Sequence, residues 1–287
     1  MSRPEYQAPP ELYYNDKEAN KYTSNTRIQS IQAELTCRAI ELLNLPENEP
    51  AFLLDIGCGS GLSGEILDEE GHFWVGIDIA PSMLQIALER EVEGDLFLQD
   101  AGHGLGFRPG TFDGAISISV LQWLCNADRK SHNPVTRLNR FFTTLYSSLR
   151  RGARAIFQFY PENDDQCELI MNVAMKCGFQ GGLVVDYPNS KKAKKFFLCL
   201  FAGINGTESK PQMPKALGVG ENEGDEPKTV NYSSERIQER NTKTKGNRKS
   251  IKDRDWILHK KGIARMRGKK GIPLDTKFTG RKRKSKF

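Results

Sequence analysis

The 287-residue sequence predicts an open α/β sheet with helices on both faces, followed by a basic tail. Apolar runs that fit buried strands alternate with helical segments up to about residue 203. A glycine-rich turn, within FLLDIGCGSGLSG over residues 52–64, follows the first of these strands. The last two strands have the spacing of a hairpin, so we expect the final strand to run antiparallel. The predicted fold is a Rossmann-like, seven-stranded and mostly parallel sheet.

The segment before the first strand is expected to be helical and to lie over the ligand site. Residues 1–11 are proline-rich and are expected to form a loose arm. Two helical stretches follow, around Tyr13 to Tyr22 and from Ser24 to Leu45, where Leu45-Pro46 ends the second. This position makes four residues candidates for a lid: Tyr13, Tyr14, Tyr22 and Arg27. Plain packing of the tyrosines on the sheet is the alternative interpretation.

The remaining strands are mostly separated by helices. Strands are predicted at 52–55, 73–78, 95–99, 112–117, 153–159, 182–186 and 195–201. Helices are predicted at 63–68, from Pro81 onward, at 134–149 and at 166–177. The basic turn SKKAKK separates the last two strands.

The glycine-rich turn indicates a ligand site at the carboxyl end of the first strand. Glycines remove side chains where backbone approaches a ligand, and they permit positive φ angles. Gly59, Gly61 and Gly64 form a literal G-x-G-x-x-G, and Asp78 follows at a distance that suits a dinucleotide. That motif alone has low specificity, and a Gly-rich turn without a ligand is a further possibility.

A second interpretation of the turn, as a site for S-adenosylmethionine, explains more of the sequence. The turn reads D-x-G-x-G-x-G, with Asp55, Gly57, Gly59 and Gly61. Asp55 would face the methionine ammonium, Asp78 the ribose hydroxyls and Asp100 the adenine amine, because each acid ends a successive strand. Three acids suit a cationic sulfonium better than a pyrophosphate. The other candidate cofactor-binding residues are Cys58, Ile79, Met83, Ala101 and Ser117.

The acceptor chemistry is limited by the lack of an obvious general base. A neutral ring nitrogen needs none, because positioning and exclusion of water suffice. The N/D-P-P-Y signature of adenine amino methylation is absent after strand 4, and no cysteine pair serves a cytosine C5 mechanism. Trp123 and Tyr160, near the ends of strands 4 and 5, are the candidate catalytic residues that would stack on an extruded base. Helix–sheet packing of Trp123 is the alternative.

The charge distribution and the cysteine content indicate which partners and which kinds of site to expect. Residues 204–287 carry 23 Lys and Arg against 10 Asp and Glu, a net charge of +13, whereas residues 1–203 carry −7. Such a tail favours contact with nucleic acid and nuclear import. The six cysteines form no C-x-x-C pair and the four histidines are scattered, so no disulfide frame or metal site is expected. No apolar run is long enough to span a bilayer.

Several motifs together resemble one enzyme family, the eukaryotic small-subunit rRNA guanine-N7 methyltransferases. The opening YYND and KYTSNTRIQSIQ, the turn LLDIGCGSGLSG, the closing YPEN and the tail RDWILHKK through DTKFTGRKR all look like this family. The opening and the tail are specific, whereas many unrelated enzymes share the glycine turn. The resemblance implies a class I methyltransferase domain over residues 1–203, a tail over 204–287, and methylation of N7 of a guanine in 18S rRNA.

The resemblance also implies where the protein acts and with which partners. These are the nucleus and nucleolus with some cytoplasm, the pre-40S particle with its 18S rRNA, and a small zinc-binding activator protein in a heterodimer. Strand 3 is expected at the sheet edge, where its apolar surface is not protected by proline or lysine. Leu96, Phe97 and Leu98 are therefore the candidate interface, through β-augmentation. Coverage of this edge by the loop at 102–110 is the alternative.

Two other functions stay open at this stage. The first is a pre-ribosome assembly or export factor whose cofactor site is structural. The second is a small-molecule methyltransferase, because many of these enzymes also follow strand 4 with a segment such as VLQWL. The intact acids at 55, 78 and 100 favour catalysis, and the basic tail disfavours a small-molecule acceptor.

Overall fold

The protein divides into two compact units, Met1–Val219 and Gly220–Phe287. The computed structural model describes residues 3–46, 49–127, 132–190, 192–203 and 213–218, and then Leu258, Lys261, Arg265 and 271–276. In the first unit, the Leu217 carbonyl accepts a hydrogen bond from the Tyr187 amide (2.7 Å), and the Leu217 amide donates to Asp186 Oδ1 (2.7 Å). The unit therefore extends beyond the boundary predicted at residue 203.

One seven-stranded sheet organises the first unit. Its strands are β1 (Phe52–Ile56), β2 (Phe73–Asp78), β3 (Asp95–Leu98), β4 (Phe112–Ile118), β5 (Leu149–Phe159), β6 (Gln180–Asp186) and β7 (Lys195–Phe201). They are arranged in the order β3-β2-β1-β4-β5-β7-β6, and β7 runs antiparallel to both of its neighbours. The predicted fold class is confirmed, including the antiparallel pair.

Eight helices accompany the sheet within the described part of this unit. They are α1 (Pro10–Tyr13), α2 (Asp16–Ser24), α3 (Thr26–Leu43), α4 (Leu62–Glu69), α5 (Pro81–Glu89), α6 (Leu121–Leu124), α7 (Pro134–Ser148) and α8 (Asp164–Lys176). The segment before β1 forms three helices and not the two predicted, because Asn15 and Asn25 each accept backbone N–H bonds and so cap a new helix.

Hydrophobic side chains cover both faces of the sheet. In β5, Phe157 points into a cluster with Phe141 and Phe142 of α7, whereas its neighbour Ile156 points into the opposite cluster. That second cluster contains Leu42 of α3 and lies on the other face. The alternation of strand side chains thus fixes which helices lie on each face.

The amino-terminal arm is bound to the end of β5. The Arg3 guanidinium donates to the carbonyls of Tyr160 (3.0 Å) and Pro161 (3.1 Å). The Asn126 side chain donates to the Glu5 carbonyl at 3.1 Å. The expectation of a loose arm is wrong for residues 3–11, because these backbone acceptors hold it.

The second unit is described at a few positions. Leu258, Lys261 and Arg265 are helical. Asp275 forms ion pairs with Lys261 (3.2 Å) and Arg265 (2.6 Å). The basic cluster at 280–287 lies outside the described residues. In the parts of the chain that are described, no helix combines the length and apolarity that a bilayer crossing requires.

Candidate active site

A cavity of about 440 Å³ opens at the carboxyl ends of β1, β2 and β4. Strand order reverses here, because the chain continues from β1 to β2 and β3 on one side and returns to β4 on the other. Ligands of open α/β sheets bind at such switch points. The wall combines the glycine turn, the ends of β2 and β4, and residues of the helices that precede β1.

The glycine turn adopts positive φ angles at Gly57 (75°), Gly59 (54°) and Gly61 (79°). A Cβ atom on Gly57 would lie 2.2 Å from Val120 Cγ2, and one on Gly59 would lie 2.9 Å from the Met83 methyl. Both glycines, Val120 and Met83 line the cavity. Gly61 instead packs close to Val92, 2.5 Å from its would-be Cβ, and is not part of the wall.

Asp55 lies behind the cavity wall and does not form part of it. Its carboxylate accepts a hydrogen bond from the Ser63 hydroxyl at 2.5 Å, and Ser63 lines the cavity. The side chain is 1% exposed, and its Oδ1 atom has no hydrogen-bond partner among the described residues. Burial raises the pKa of Asp55 to about 7. An ammonium group next to Ser63 would satisfy this unpaired oxygen.

Asp78 ties the glycine turn to the end of β2. Its carboxylate accepts from the amides of Gly59 (2.8 Å) and Ala80 (2.8 Å). Burial raises the pKa of Asp78, although these hydrogen bonds oppose the shift. Asp78 and Ile79 line the cavity as predicted, so an acceptor for hydroxyl groups is present at the expected strand end.

Cys58 also lines the cavity, and its environment makes it a neutral thiol. Burial raises the pKa of Cys58, and the nearby carboxylates of Asp55 and Asp78 add to the shift. A thiolate is therefore disfavoured at this position.

Asp100 and Ala101 line the cavity below β3, and Asp100 is paired with a residue that the sequence does not predict. The Arg137 guanidinium makes two hydrogen bonds to the Asp100 carboxylate, each of 2.9 Å. Burial opposes ionisation, but the bonds from Arg137 and the Gly102 amide outweigh it and hold the pKa of Asp100 below its usual value. Asp100 is thus an ionised carboxylate that Arg137 holds in the cavity wall.

The amino-terminal helices cover the cavity, as predicted for a lid. Tyr14 and Tyr22 line it, with ring centroids 5.8 Å apart, and burial raises the pKa of both hydroxyls. The Ser82 hydroxyl donates to Asp16 (2.6 Å), which joins α2 to α5. Arg27 is exposed and is not in the wall.

Trp123 brings an aromatic ring from α6 into the cavity wall. Its ring lies 5.9 Å from Tyr14 and 6.1 Å from Tyr13 between centroids, and the residue is 9% exposed. The preceding Ser119 has a φ of 64°, which turns the chain out of β4 toward α6. Trp123 and Tyr14 thus place two neighbouring rings in the wall, and Tyr13 contacts both without being part of it.

Two further predicted residues lie elsewhere. Tyr160 is not in the wall, and its ring and hydroxyl contact Lys195 Nζ, 5.3 Å from the ring centroid and 3.4 Å from the oxygen. Ser117 is 1% exposed and donates to the Ile56 carbonyl (2.8 Å), so it joins β4 to β1. Predicted residues that form the wall are Tyr14, Tyr22, Gly57, Cys58, Gly59, Asp78, Ile79, Met83, Asp100, Ala101 and Trp123. Wall residues that were not predicted include Glu11, Gln32, Ser63, Ser119, His132 and Arg137.

No metal is implied by this geometry. Throughout the portions of the chain that can be described, no three His, Cys, Asp or Glu side chains are grouped to hold an ion.

Comparison with known proteins relates both units to methyltransferases. The family model described as "Methyltransferase involved in Williams-Beuren syndrome" matches residues 200–285. The model described as "Methyltransferase domain" matches residues 54–157, which contain the glycine turn and all three strand-end acids. The first match covers the basic tail, which a general methyltransferase does not require.

Whole-length relatives share about half of all residues with this chain. It is 53% identical over 285 residues to the 18S rRNA (guanine-N(7))-methyltransferase of Mus musculus, which covers 99% of this chain and 98% of the relative. Identity to the enzyme of the same name from Arabidopsis thaliana is 54% over 290 residues, with 100% and 99% covered. The 18S rRNA (guanine(1575)-N(7))-methyltransferase of Saccharomyces cerevisiae is 52% identical over 289 residues, with both chains covered completely.

Proposed function

The chain belongs to the family of 18S rRNA (guanine-N(7))-methyltransferases, and on this premise we propose that it transfers a methyl group from S-adenosylmethionine to N7 of a guanine in 18S rRNA. The observation that carries the proposal is the similarity over the whole chain, tail included, to relatives that bear this name. A small-molecule methyltransferase would have no use for a tail of net charge +13.

The cavity fits the methyl donor. S-adenosylmethionine supplies an electrophilic methyl group on a sulfonium when it is bound. Asp78 would accept the ribose hydroxyls, and Asp100 with Ala101 would border the adenine. Gly57 and Gly59 allow Val120 and Met83 to pack against the turn, where a Cβ atom would clash, and all four residues would border the donor. Asp55 would balance the ammonium through its unpaired oxygen next to Ser63.

The chain's residues need not remove a proton in this reaction. N7 of guanine carries a lone pair, so the new C–N bond forms while the C–S bond breaks, and the positive charge moves to the base. Trp123 and Tyr14 provide rings in the cavity wall that can stack on guanine and stabilise the resulting cation. Positioning and exclusion of water are the contributions of the protein.

A methyl-transfer assay with purified components tests this function. The full chain is incubated with labelled S-adenosylmethionine and an 18S rRNA fragment, and the modified nucleotide is identified by digestion and mass spectrometry. We expect label on N7 of one guanine, and its loss in Trp123→Ala with donor affinity retained. Label on another atom, or on small molecules but not RNA, would contradict the proposal.

We further propose that β3 binds the small zinc-binding activator. β3 is the edge strand, and Phe97 and Leu98 are 47% and 62% exposed. Leu96 instead packs against the core, so two of the three predicted interface residues remain available. The loop after β3 touches this edge only in part, through Phe107 against Phe97 with centroids 6.0 Å apart. An added strand would satisfy the free backbone groups of the edge.

We also propose that the basic tail directs the protein to the nucleus and nucleolus and adds affinity for the pre-40S particle. The charge of residues 204–287 supports this role. Imaging of the full chain and of a chain without residues 220–287 tests it, with nuclear exclusion expected for the shorter form.

A further inference from the structure

The turn between β6 and β7 carries lysines that the methyl transfer does not use. It reads SKKAKK over residues 190–195. Of its lysines, Lys192 and Lys194 are exposed and Lys195 is half-buried in the described structure. Lys192 and Lys194 directly precede β7, and Lys195 is the first residue of that strand.

Ser190 makes three hydrogen bonds in this turn. Its amide donates to the Tyr187 carbonyl (3.0 Å), and its carbonyl accepts from the Lys194 amide (2.9 Å). Its hydroxyl accepts from the Ala193 amide at 3.1 Å. The backbone of Ala193 and Lys194 is therefore held by hydrogen bonds directly before β7 begins.

Two of the ammonium groups lie beside aromatic rings. Lys194 Nζ lies 4.8 Å from the centroid of Phe196. Lys195 Nζ lies 5.3 Å from the centroid of Tyr160 and donates to its hydroxyl at 3.4 Å. Among the described residues, none of the ion pairs involves Lys192, Lys194 or Lys195. Ammonium groups without a carboxylate partner, beside rings, match the mixture of phosphate and base that single-stranded RNA presents.

The turn lies at the same end of the sheet as the cavity. Because β7 is antiparallel to β5, its first residues lie beside the carboxyl end of β5, with Phe196 opposite Phe159. The cavity opens at the carboxyl ends of β1, β2 and β4, and β4 runs parallel to β5. Tyr160, which accepts a hydrogen bond from Lys195, directly follows β5 and so lies at this same end.

We propose that Lys192, Lys194 and Lys195, together with Tyr160, bind the RNA phosphodiesters next to the guanine that enters the cavity. The identity of the ligand as RNA rests on the proposed function. A guanine that leaves its strand to reach the cavity needs the backbone beside it held at the cavity mouth. Phosphate contacts at this place set the register of the RNA, which a charged tail alone does not do.

A double-mutant cycle between protein charge and RNA charge tests the contact. The full-length wild type is compared with Lys194→Gln/Lys195→Gln on two forms of the 18S rRNA fragment. One form is natural, and the other carries uncharged methylphosphonate linkages on both sides of the target guanine. The control variant is Lys176→Gln/Arg151→Gln. It removes two exposed charges at the other end of the sheet, where α8 ends and β5 begins. Affinity is measured over a range of salt concentrations.

We expect the turn variant to bind natural RNA more weakly, with a salt slope less steep by roughly 0.7 for each lost phosphate contact. The uncharged linkages should weaken wild type by a similar factor and should have little further effect on the turn variant. The control variant should respond to the linkages as wild type does, and donor affinity should be unchanged in all three proteins.

Additive effects of the variant and the linkages would overturn the contact, as would equal affinity of the turn variant and wild type. If those results accompany normal methylation by wild type, only this inference fails. If wild type neither binds nor methylates the natural fragment, the proposed function fails with it. A turn variant that binds RNA normally but loses a protein partner would assign the lysines to that partner.

Discussion

Asp55 in β1 and Asp100 after β3 are both carboxylates at the carboxyl end of the sheet, yet their surroundings shift their pKa values in opposite directions. Burial with one unpaired oxygen raises the pKa of Asp55 to about 7. Two hydrogen bonds from Arg137 hold the pKa of Asp100 below its usual value, although burial opposes this. Asp100 is therefore ionised throughout the physiological range, whereas Asp55 titrates within it.

We expect affinity for S-adenosylmethionine to fall as the pH is lowered through about 7, because protonation of Asp55 removes the charge that balances the ammonium. Calorimetry on both sides of that pH measures the effect, and Asp55→Asn should flatten the curve. Methylthioadenosine, which lacks the amino acid part, should bind without this dependence. An equal pH dependence in Asp55→Asn would exclude this role.

The same carboxyl has the opposite sign in the stability of the unliganded protein. Its folded pKa is raised above the unfolded value, so it favours folding below about pH 4 and loses that contribution as the pH rises through about 7. Thermal unfolding at several pH values should show Asp55→Asn gaining stability over wild type toward neutral pH. A constant difference across that range would contradict the assignment.

Gly57 provides a second test at single-residue scale. Gly57→Glu places a Cβ atom 2.2 Å from Val120 at a φ of 75°, and a carboxylate in the cavity, so we expect donor binding to be lost. Gly71→Glu is the matched control, because Gly71 has a similar φ of 83° and no heavy atom within 4 Å of its would-be Cβ. Equal donor affinity in the two variants would show that the glycine turn does not bind S-adenosylmethionine.

A site residue can be predicted from the sequence when the residues next to it in the chain mark its position, and not when its position depends on a distant partner. Asp78 and Asp100 directly follow apolar runs, so strand ends place them at the cavity. Arg137 comes from α7, 37 residues after its partner Asp100, and no nearby pattern marks it. Tyr160 directly follows β5 but is not in the wall, and its contact with Lys195 of β7 has no signal in the local sequence.

At the level of elements, β3 is an edge strand that exposes the apolar side chains of Phe97 and Leu98. Its four residues pair on one side with β2 only. Its position follows from the fold class, and its apolar sequence is evident without a structure. The helices before β1 are harder to predict, because the boundaries depend on Asn15 and Asn25 accepting backbone bonds as caps.

Phe97→Lys tests whether β3 binds the activator. Phe97 is 47% exposed, so lysine should leave the fold intact and weaken the complex by placing a charge in an apolar contact. We expect the chain expressed alone to be poorly soluble and coexpression with the activator to rescue wild type but not this variant. Met175→Lys on α8 is the control, since Met175 is a similarly exposed apolar residue at 36%. Unimpaired complex formation by Phe97→Lys would exclude this interface.

For the whole molecule, the sequence separates a mildly acidic enzyme domain from a basic tail. The composition change at residue 204 marks this division, but the compact unit continues to Val219. The reason lies in long-range contacts: the Asp186 carboxylate, already paired with Arg38, also accepts from the Leu217 amide. Composition does not reveal such pairing.

Removal of residues 220–287 should leave donor affinity nearly unchanged, because every residue of the cavity wall precedes this point. RNA affinity should fall and its salt dependence should flatten, because most of the basic tail is lost. A longer deletion from residue 205 should destabilise the domain, since it also removes the hydrogen bonds of Leu217. Loss of donor binding in the shorter deletion would place the tail within the fold.

Methylation of N7 of an 18S rRNA guanine by this protein is tested most directly by mass spectrometry of 18S rRNA fragments from cells with and without the protein. We expect one guanine nucleotide to carry an N7 methyl group only when the protein is present. We also expect that the Gly57→Glu variant does not restore this methyl group, whereas the Gly71→Glu variant does. An N7 methyl group that persists without the protein, or that returns with Gly57→Glu, would show that the protein does not carry out this methylation as proposed.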